Sequence, residues 1–419
     1  MLSLGRTLVA RGNRVSLVAA PDAEAQTRQA GLDYLPIGAK EFPVGSMRRL
    51  SVEMSRLSST REVLEYTINL YRSVATILLD EAYGVIESAK IEGLIVDQAS
   101  PSGSSLAEGL GLPFVSVATG APLNREPGIP SVFDPSEYRE TEAVREGYAR
   151  GYAMVDFIVK SVIELINERR QHWGLPPVHG YDDLFSPSAQ ISQMPTELDF
   201  PRKQLPSHFH SVGPLVDLAR GDEVSFPYER LDGRPLVYAS LGTILGSRES
   251  VLESIANACR DLDCQLVITL GNREAIEVPT FGDAIVVPYA PQPELLSRAK
   301  LIITVAGMNT TLDALSKGVP IVAIPMGGDQ PGIGSRIAYH GVGRVVEAKR
   351  PEGGLAGDRQ VDEFQLREAV SQVLSEDSFR TAARRIQKAI QSSGGLQQAA
   401  NIVELALKTG EQASVASVI

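Results

Sequence analysis

Residues 289–330, YAPQPELLSRAKLIITVAGMNTTLDALSKGVPIVAIPMGGDQ, constrain most strongly what this chain can fold into. After a turn and a short helical segment, residues 301–305 form an apolar, β-branched run of strand length. A small-residue turn follows, and we expect a helix to start at Asn309 or Thr310 and to end before a Gly-Val-Pro sequence. Residues 321–325 form the next buried strand. The stretch therefore predicts a strand–helix–strand unit of a parallel α/β sheet.

Two groups of polar residues lie at the ends of these elements. Asn309 and Thr310 are at the expected helix N-terminus, where backbone N–H groups and the helix dipole favour a phosphate. Asp329 and Gln330 come after the second strand, at the edge of the sheet where α/β proteins bind ligands. A purely structural interpretation stays open, because Thr310-x-x-Asp313 is also a capping box and GGDQPG is also a turn sequence.

The order and spacing of these residues resemble the donor-binding signature of the UDP-sugar glycosyltransferases with the GT-B fold. Within that family the zeaxanthin glucosyltransferase-like and macrolide glycosyltransferase-like enzymes are most similar. The family pattern reads W-A-P-Q, a strand, H-G/A-G-x-N-[ST], L-[ED]-A-L, G-x-P and P-x-x-x-D-Q. This chain has Tyr289 where the family usually has a Trp that stacks on uracil, and Val305 where a His usually contacts the diphosphate. Losing that charge-assisted hydrogen bond costs about 1.5–3 kcal/mol, so we expect weaker donor binding.

The resemblance implies a function and a role for each matching residue. The reaction would be an inverting transfer of a hexose, by resemblance glucose, from a UDP-sugar to a hydroxyl group, without metal or other cofactor. A helix N-terminus would stabilise the leaving diphosphate in place of a metal, and the sequence has no acidic DxD cluster. For the nucleoside, the resemblance implies that Tyr289 stacks on uracil, that Ala290 makes a backbone contact, and that Gln292 and Asp313 bind the ribose. The residues implied to bind the diphosphate are Gly242, Thr243, Gly307, Asn309 and Thr310. Asp329 and Gln330 are implied to bind the sugar hydroxyls.

Alternating strand and helix patterns over the 419 residues predict an α/β protein of the GT-B type, with two Rossmann-like, doubly wound parallel-sheet domains facing a cleft. Apolar stripes predict long helices over residues 61–90 and 137–173. The predicted division is an acceptor-binding domain over 1–215, a linker over 216–234, a UDP-sugar-binding domain over 235–395, and a helix that crosses back with a tail over 396–419.

The first residues read as the second half of a βαβ unit. Residues 1–11 form an amphipathic helix, and residues 14–19 form a buried strand. The resemblance places a strand and a loop with the catalytic His before this helix, so we expect that the given start lies downstream of the true one or that the gene is truncated. Asp97, at the end of the strand over 92–97, matches the family acid that orients this His. Asp97 could equally face the N-terminus of the helix that follows it.

Composition excludes several classes of function. A net charge of −11 argues against non-specific nucleic-acid binding. Cys259 and Cys264 have no His nearby, so they indicate neither a zinc site nor a disulfide framework, and a cytoplasmic location fits. The sequence has no 18-residue apolar run and no visible signal peptide.

The resemblance is closest to carotenoid glucosyltransferases. It implies an apolar, hydroxylated small-molecule acceptor and peripheral contact with a membrane. Two other hypotheses stay open at this point: a non-catalytic relative that binds a UDP-sugar or a partner protein, and a UDP-sugar 2-epimerase.

Overall fold

The computed structural model describes residues 1–217, 224–242, 249–271 and 278–409. The strands are β1 (Ser16–Ala19), β2 (Asp33–Pro36), β3 (Leu94–Asp97), β4 (Phe114–Ala118), β5 (Gln190–Ser192), β6 (Phe209–Ser211), β7 (Leu236–Ser240), β8 (Gln265–Thr269), β9 (Ile285–Val287), β10 (Ala299–Thr304), β11 (Ile321–Ala323), β12 (Gly343–Val345), β13 (Ala348–Lys349) and β14 (Gln360–Val361). The helices are α1 (Leu2–Ala10), α2 (Glu24–Gln29), α3 (Ser46–Ser55), α4 (Thr60–Ile77), α5 (Tyr83–Ser88), α6 (Ser102–Gly109), α7 (Glu142–His172), α8 (Glu249–Cys259), α9 (Gln292–Arg298), α10 (Met308–Ser316), α11 (Gln330–Tyr339), α12 (Glu363–Ser375), α13 (Asp377–Ser392) and α14 (Gly395–Thr409).

The C-terminal half is built on a six-stranded parallel sheet in the order β12-β11-β10-β7-β8-β9. Alternate residues of β7 pack on opposite faces: Leu236 and Tyr238 join one apolar cluster, and Val237 and Ala239 join another. Residues of α10, α11 and α13 fill the first cluster, and residues of α8 and α12 fill the second. The sheet is therefore doubly wound, and the strand order reverses between β7 and β10. Ligands of such sheets bind at this reversal, outside the carboxyl ends of the strands.

The N-terminal half contains two separate parallel sheets. One has the order β3-β4-β5-β6, and the other pairs β1 with β2. Within the described residues no strand pairs with both β1 and β3. Leu4 and Leu8 of α1 pack in one apolar cluster with Val115 and Val117 of β4. The fold class predicted from the sequence, α/β with parallel sheets in both halves, is confirmed.

Helix α14 packs on the N-terminal half, although it follows the C-terminal sheet in the chain. It contacts α1 and β4. Arg11 donates hydrogen bonds to Asn401 (Nη1 to Oδ1, 2.6 Å) and to Glu404 (Nη1 to Oε2, 3.0 Å). The exact domain limits given above stay a prediction.

A second contact between the halves is charged and buried. Asp199, from the N-terminal half, accepts a hydrogen bond from Nε of Arg336 in α11 at 2.8 Å and one from Nε of Arg202 at 3.0 Å. Burial opposes the ionisation of Asp199, but the two guanidinium groups keep its pKa below the ordinary value. The carboxylate thus neutralises two cations that burial would otherwise make costly.

Two boundaries expected from the sequence are wrong. The long helix expected over 61–90 is interrupted, because a π-helical turn over Leu78–Ala82 separates α4 from α5. The helix after the second strand of the signature begins at Gln330, five residues before Ser335, where the sequence placed it. Among the described residues, no helix is long and apolar enough to cross a membrane.

Candidate active site

A cleft of about 490 Å³ opens at the carboxyl ends of β7, β8, β9 and β10, where the strand order reverses. This volume lies within the range of small-molecule sites. The cleft is lined by Val216, Asp217, Tyr238, Ser240, Gly242, Thr269, Gly271, Tyr289, Ala290, Gln292, Pro293, Asn309, Thr310, Asp313, Ser316 and Lys317. Seven of the donor-site residues predicted from the sequence are therefore brought together here: Gly242, Tyr289, Ala290, Gln292, Asn309, Thr310 and Asp313. Thr243 lies outside the described residues.

The N-terminus of α10 forms one wall of the cleft. The helix begins at Met308 with Gly307 as N-cap, and no side chain caps it. Ala306, in the turn between β10 and α10, adopts a left-handed conformation with φ of 63°. That conformation costs a non-glycine residue about 1–2 kcal/mol, and such strain is typical of functional sites. The first backbone N–H groups of α10 have no intrahelical partner, so they are available to an anion.

The capping-box interpretation of Thr310 and Asp313 is wrong. Because the N-cap is Gly307, Thr310 is the third residue of the helix and Asp313 lies in its second turn. The Asp313 carboxylate accepts a hydrogen bond from Gln292 (Nε2 to Oδ2, 2.7 Å). Tyr238 in turn donates from its hydroxyl to Oε1 of Gln292 at 3.5 Å. Burial raises the pKa of Asp313, and the bond from Gln292 and the charge of Lys317 oppose that shift.

Tyr289 and Ala290 reach the cleft from the segment after β9. Ala290 is buried, and Tyr289 is half-buried and lines the cleft. A phenol ring has a face on which a planar base can stack. Val305 is buried in the apolar cluster that includes Ile303 and Ile324, so its side chain belongs to the core of the sheet.

Asp329 and Gln330 lie outside the residues that line this cleft and differ in their contacts. Asp329 is the N-cap of α11 without a side-chain cap bond, and its Oδ2 accepts a hydrogen bond from the Ala121 backbone N–H at 3.3 Å. Burial raises the pKa of Asp329. Gln330 turns back instead, and its Oε1 accepts from the backbone N–H groups of Met326 (2.8 Å) and Gly327 (3.2 Å). Asp329 therefore faces the N-terminal half, whereas the oxygen of Gln330 is committed to its own turn.

Asp97 ends β3, as expected, but it does not serve α6 as a cap. Its Oδ1 accepts a hydrogen bond from the Ala99 backbone N–H at 2.8 Å, and its Oδ2 accepts one from the Thr119 hydroxyl at 2.6 Å. The N-cap of α6 is Pro101, without a side-chain cap bond. Asp97 is therefore not the cap of α6, and two hydrogen bonds fix its carboxylate at the carboxyl edge of the N-terminal sheet.

Comparison with known proteins decides the family. The UDP-glucoronosyl and UDP-glucosyl transferase family matches residues 151–387. Zeaxanthin glucosyltransferase from Pantoea ananas is 35% identical over 98% of this chain and 93% of the relative. The chain belongs to this family. A second zeaxanthin glucosyltransferase, from Pseudescherichia vulneris, is 30% identical over 98% of this chain and 95% of the relative.

Solved structures agree in fold. The glycosyltransferase of kitacinnamycin superimposes with a TM-score of 0.71 at 20% identity, over 97% of this chain and 94% of that one. The calicheamicin glycosyltransferase CalG4 gives a TM-score of 0.70 at 20% identity, over the same shares of the two chains. This UDP-glycosyltransferase thus has the GT-B fold and is a glycosyltransferase enzyme.

The structure adds residues to the site that the sequence did not reveal. Gln193, which follows β5 in the N-terminal half, donates a hydrogen bond from Nε2 to Oδ1 of Asn309 at 3.0 Å. Tyr71 of α4 lies close enough to Asp329 for the carboxylate charge to raise its pKa further, after burial as the main cause. Both come from segments with no motif of their own, and only the packing of the two halves brings them close to Asn309 and Asp329.

Proposed function

We propose that this glycosyltransferase moves a hexose, glucose by resemblance, from a UDP-sugar to a hydroxyl group of an apolar small molecule such as a carotenoid, with inversion and without a metal. The binding of a UDP-sugar is supported by one observation: the N-terminus of α10, which no side chain caps, lies beside the Gln292–Asp313 pair in the cleft where the strand order reverses. Such an arrangement offers hydrogen-bond donors to a diphosphate and acceptors to ribose hydroxyls.

In this proposal UDP lies along the cleft from β9 to α10. Tyr289 stacks on uracil, and the Ala290 backbone bonds its edge. Gln292 holds the Asp313 carboxylate in place, and Asp313 accepts hydrogen bonds from the ribose. The diphosphate contacts the N-terminus of α10 through Gly307, Asn309 and Thr310, together with the Gly242 turn. The resemblance adds Thr243, which lies outside the described residues. Asp329 and the amide NH₂ of Gln330 bind sugar hydroxyls.

The chemistry follows from this placement. The acceptor oxygen attacks C1 of the sugar from the opposite face as the bond between C1 and the β-phosphate oxygen breaks. The hydroxyl proton of the acceptor passes to water, so the products are the glycoside, UDP and one proton. The diphosphate gains negative charge as it leaves. The α10 dipole and its free N–H groups stabilise that charge, which is the work a metal does in other transferases.

A second cavity supports the apolar acceptor. A slot of about 240 Å³ lies between α4 and the start of α6, lined by Leu70, Tyr71, Val74, Ala75, Leu78, Ala99, Ser100, Pro101 and Ser102. Tyr71 is shared between this slot and the surroundings of Asp329. The hydroxyl of Ser102 is fully buried and has no hydrogen-bond partner in the described part of the chain. We place the apolar body of the acceptor in this slot, with an oxygen of the acceptor paired to Ser102.

The slot can be tested by filling it. Val74, 39% exposed on α4, lines the slot, and Val278, also 39% exposed, lies in the other half of the chain. We expect Val74→Trp to abolish transfer to a carotenoid while sparing a short alcohol, and Val278→Trp to leave both reactions unchanged. Equal loss with both acceptors would contradict this assignment.

Peripheral membrane contact is part of the proposal, because a carotenoid acceptor is dissolved in the bilayer. Val44 (81% exposed) and Met47 (61% exposed) project at the start of α3. The exposed side chains of Lys40 and Arg48 flank them, although the whole chain carries a net charge of −11. Apolar tips with basic neighbours suit an anionic membrane surface. Cosedimentation with anionic vesicles should fall in a Val44→Ser, Met47→Ser double variant, and unchanged cosedimentation would contradict this contact.

The cytoplasmic location stays a prediction.

The transfer itself is tested with UDP-[¹⁴C]glucose and zeaxanthin in vesicles, in the presence of EDTA. We expect label in the lipid extract that depends on zeaxanthin and that is reduced in Asp313→Ala at a limiting concentration of UDP-glucose. Binding of UDP-glucose without any transfer would favour a non-catalytic relative. Conversion of UDP-GlcNAc to its 2-epimer without an acceptor would favour an epimerase.

A further inference from the structure

Gln193 connects the two halves of the enzyme through one buried amide. Its side chain belongs to the N-terminal half and is 2% exposed. Nε2 donates hydrogen bonds to the Thr119 backbone oxygen and, at 3.0 Å, to Oδ1 of Asn309. Oε1 accepts a hydrogen bond from the Leu215 backbone N–H at 3.3 Å. The contacts on both ends of the amide fix which end faces Asn309.

This polarity determines how Asn309 is presented to the cleft. An amide nitrogen only donates, so the atom of Asn309 that faces Gln193 has to be the oxygen. The NH₂ group of Asn309 is then directed away from Gln193, and Asn309 lines the donor cleft at the N-terminus of α10. An NH₂ group in that position adds a donor to the backbone N–H groups, whereas the reverse orientation would place an oxygen there and repel an anion.

The same amide also leads to the acceptor side. The Thr119 hydroxyl donates to Oδ2 of Asp97 at 2.6 Å, and the Thr119 carbonyl accepts from Gln193. Thr119 thus bonds Asp97 through its side chain and Gln193 through its backbone, and Gln193 in turn bonds Asn309. The last of these bonds, from Gln193 to Asn309, joins the two halves and so depends on their relative position.

We propose that Gln193 is a positioning residue, which orients the Asn309 amide so that its NH₂ group binds the diphosphate of the donor. The proposal rests on the proposed function, since it needs the diphosphate at the N-terminus of α10. Gln193 does not touch the substrate itself and acts through Asn309.

The test compares UDP with uridine, because only UDP carries the diphosphate. In Gln193→Met the amide is replaced by an apolar chain of similar length, and Asn309 loses its fixed orientation. We expect UDP to bind about five- to tenfold more weakly, the value of one hydrogen bond, and uridine to bind as in the wild type. A merely structural role would weaken both ligands together. In an Asn309→Ala background, Gln193→Met should have no further effect on UDP binding.

Gln98→Met is the matched control. Gln98 is also a buried glutamine of the N-terminal half, and its side chain bonds Asn124 (Nε2 to Oδ1, 3.0 Å) and the Leu123 N–H (2.9 Å). We expect the ratio of the Kd values for UDP and uridine to be the same in Gln98→Met as in the wild type. If Gln193→Met does not fold, Gln193→Glu is the second variant, because it keeps the side-chain volume but has only acceptor oxygens. We expect the Asn309 amide to turn round in this variant, and UDP to bind more than about tenfold more weakly.

The outcomes separate the two proposals. A wild-type protein that binds uridine and UDP equally would overturn the diphosphate site and the role of Gln193 with it. A wild-type protein that prefers UDP, together with a Gln193→Met protein that keeps the same preference, would overturn the role of Gln193 alone.

Discussion

Asp313 provides the most detailed test of the donor site, because its partners predict both the size and the ligand dependence of the effect. Its carboxylate accepts from Gln292 at 2.7 Å and lines the cleft. If it also accepts a ribose hydroxyl, Asp313→Ala removes a hydrogen bond to a charged group, worth about 1.5–3 kcal/mol. That energy corresponds to a roughly 10- to 150-fold increase in the Kd for UDP. The Gln292 amide, left without its partner, adds to the loss.

Titration calorimetry with UDP and 2′-deoxy-UDP separates the ribose contact from general damage. The wild type should prefer UDP, and Asp313→Ala should reduce that preference towards one. Asp261→Ala is the control, since Asp261 is an exposed acid paired with Arg367 at 2.9 Å outside the cleft. A variant that binds both ligands more weakly but keeps the full preference for UDP would refute a hydrogen bond from the ribose 2′-hydroxyl to Asp313.

Three further changes have defined outcomes. Tyr289→Leu should weaken UDP and uridine equally, by about 1–3 kcal/mol of base stacking, whereas Tyr289→Phe should be nearly silent in the same titration. Burial raises the pKa of Asp329 above its ordinary value, and only the ionised carboxylate accepts two sugar hydroxyls, so activity should fall as the pH decreases through that pKa. Asp329→Asn should be less active, and its pH–rate profile should lack this acidic decline. Asp199→Ala leaves the buried Arg336 and Arg202 side chains without their counter-charge, and urea unfolding should show a loss of about 3–5 kcal/mol.

The sequence predicted the C-terminal half well for a physical reason. Its strands are short, apolar and buried on both faces, and its turns carry Gly or Pro, so the pattern of residues 301–325 specifies a parallel unit almost locally. The start of α10 was misplaced by one or two residues, because Asn309 and Thr310 are both good N-cap residues, yet Gly307 holds that position.

Contacts across the two halves could not be predicted in the same way. The bond from Gln193 to Asn309 joins residues 116 positions apart, and no periodicity relates them. The division of roles between Asp329 and Gln330 is similar, because it depends on Ala121 approaching from the other half. The interruption of the helix over 61–90 was also missed, since the apolar residues keep a helical spacing through the π turn.

The stereochemistry of the product tests the central claim most directly. Proton NMR of a reaction between UDP-α-glucose and zeaxanthin would follow the anomeric proton of the transferred sugar. The proposal predicts a β-glucoside, with the large coupling of a diaxial pair, formed as UDP appears. An α-glucoside would contradict the inverting mechanism. UDP-glucose consumed without any glucoside would contradict sugar transfer to an apolar alcohol.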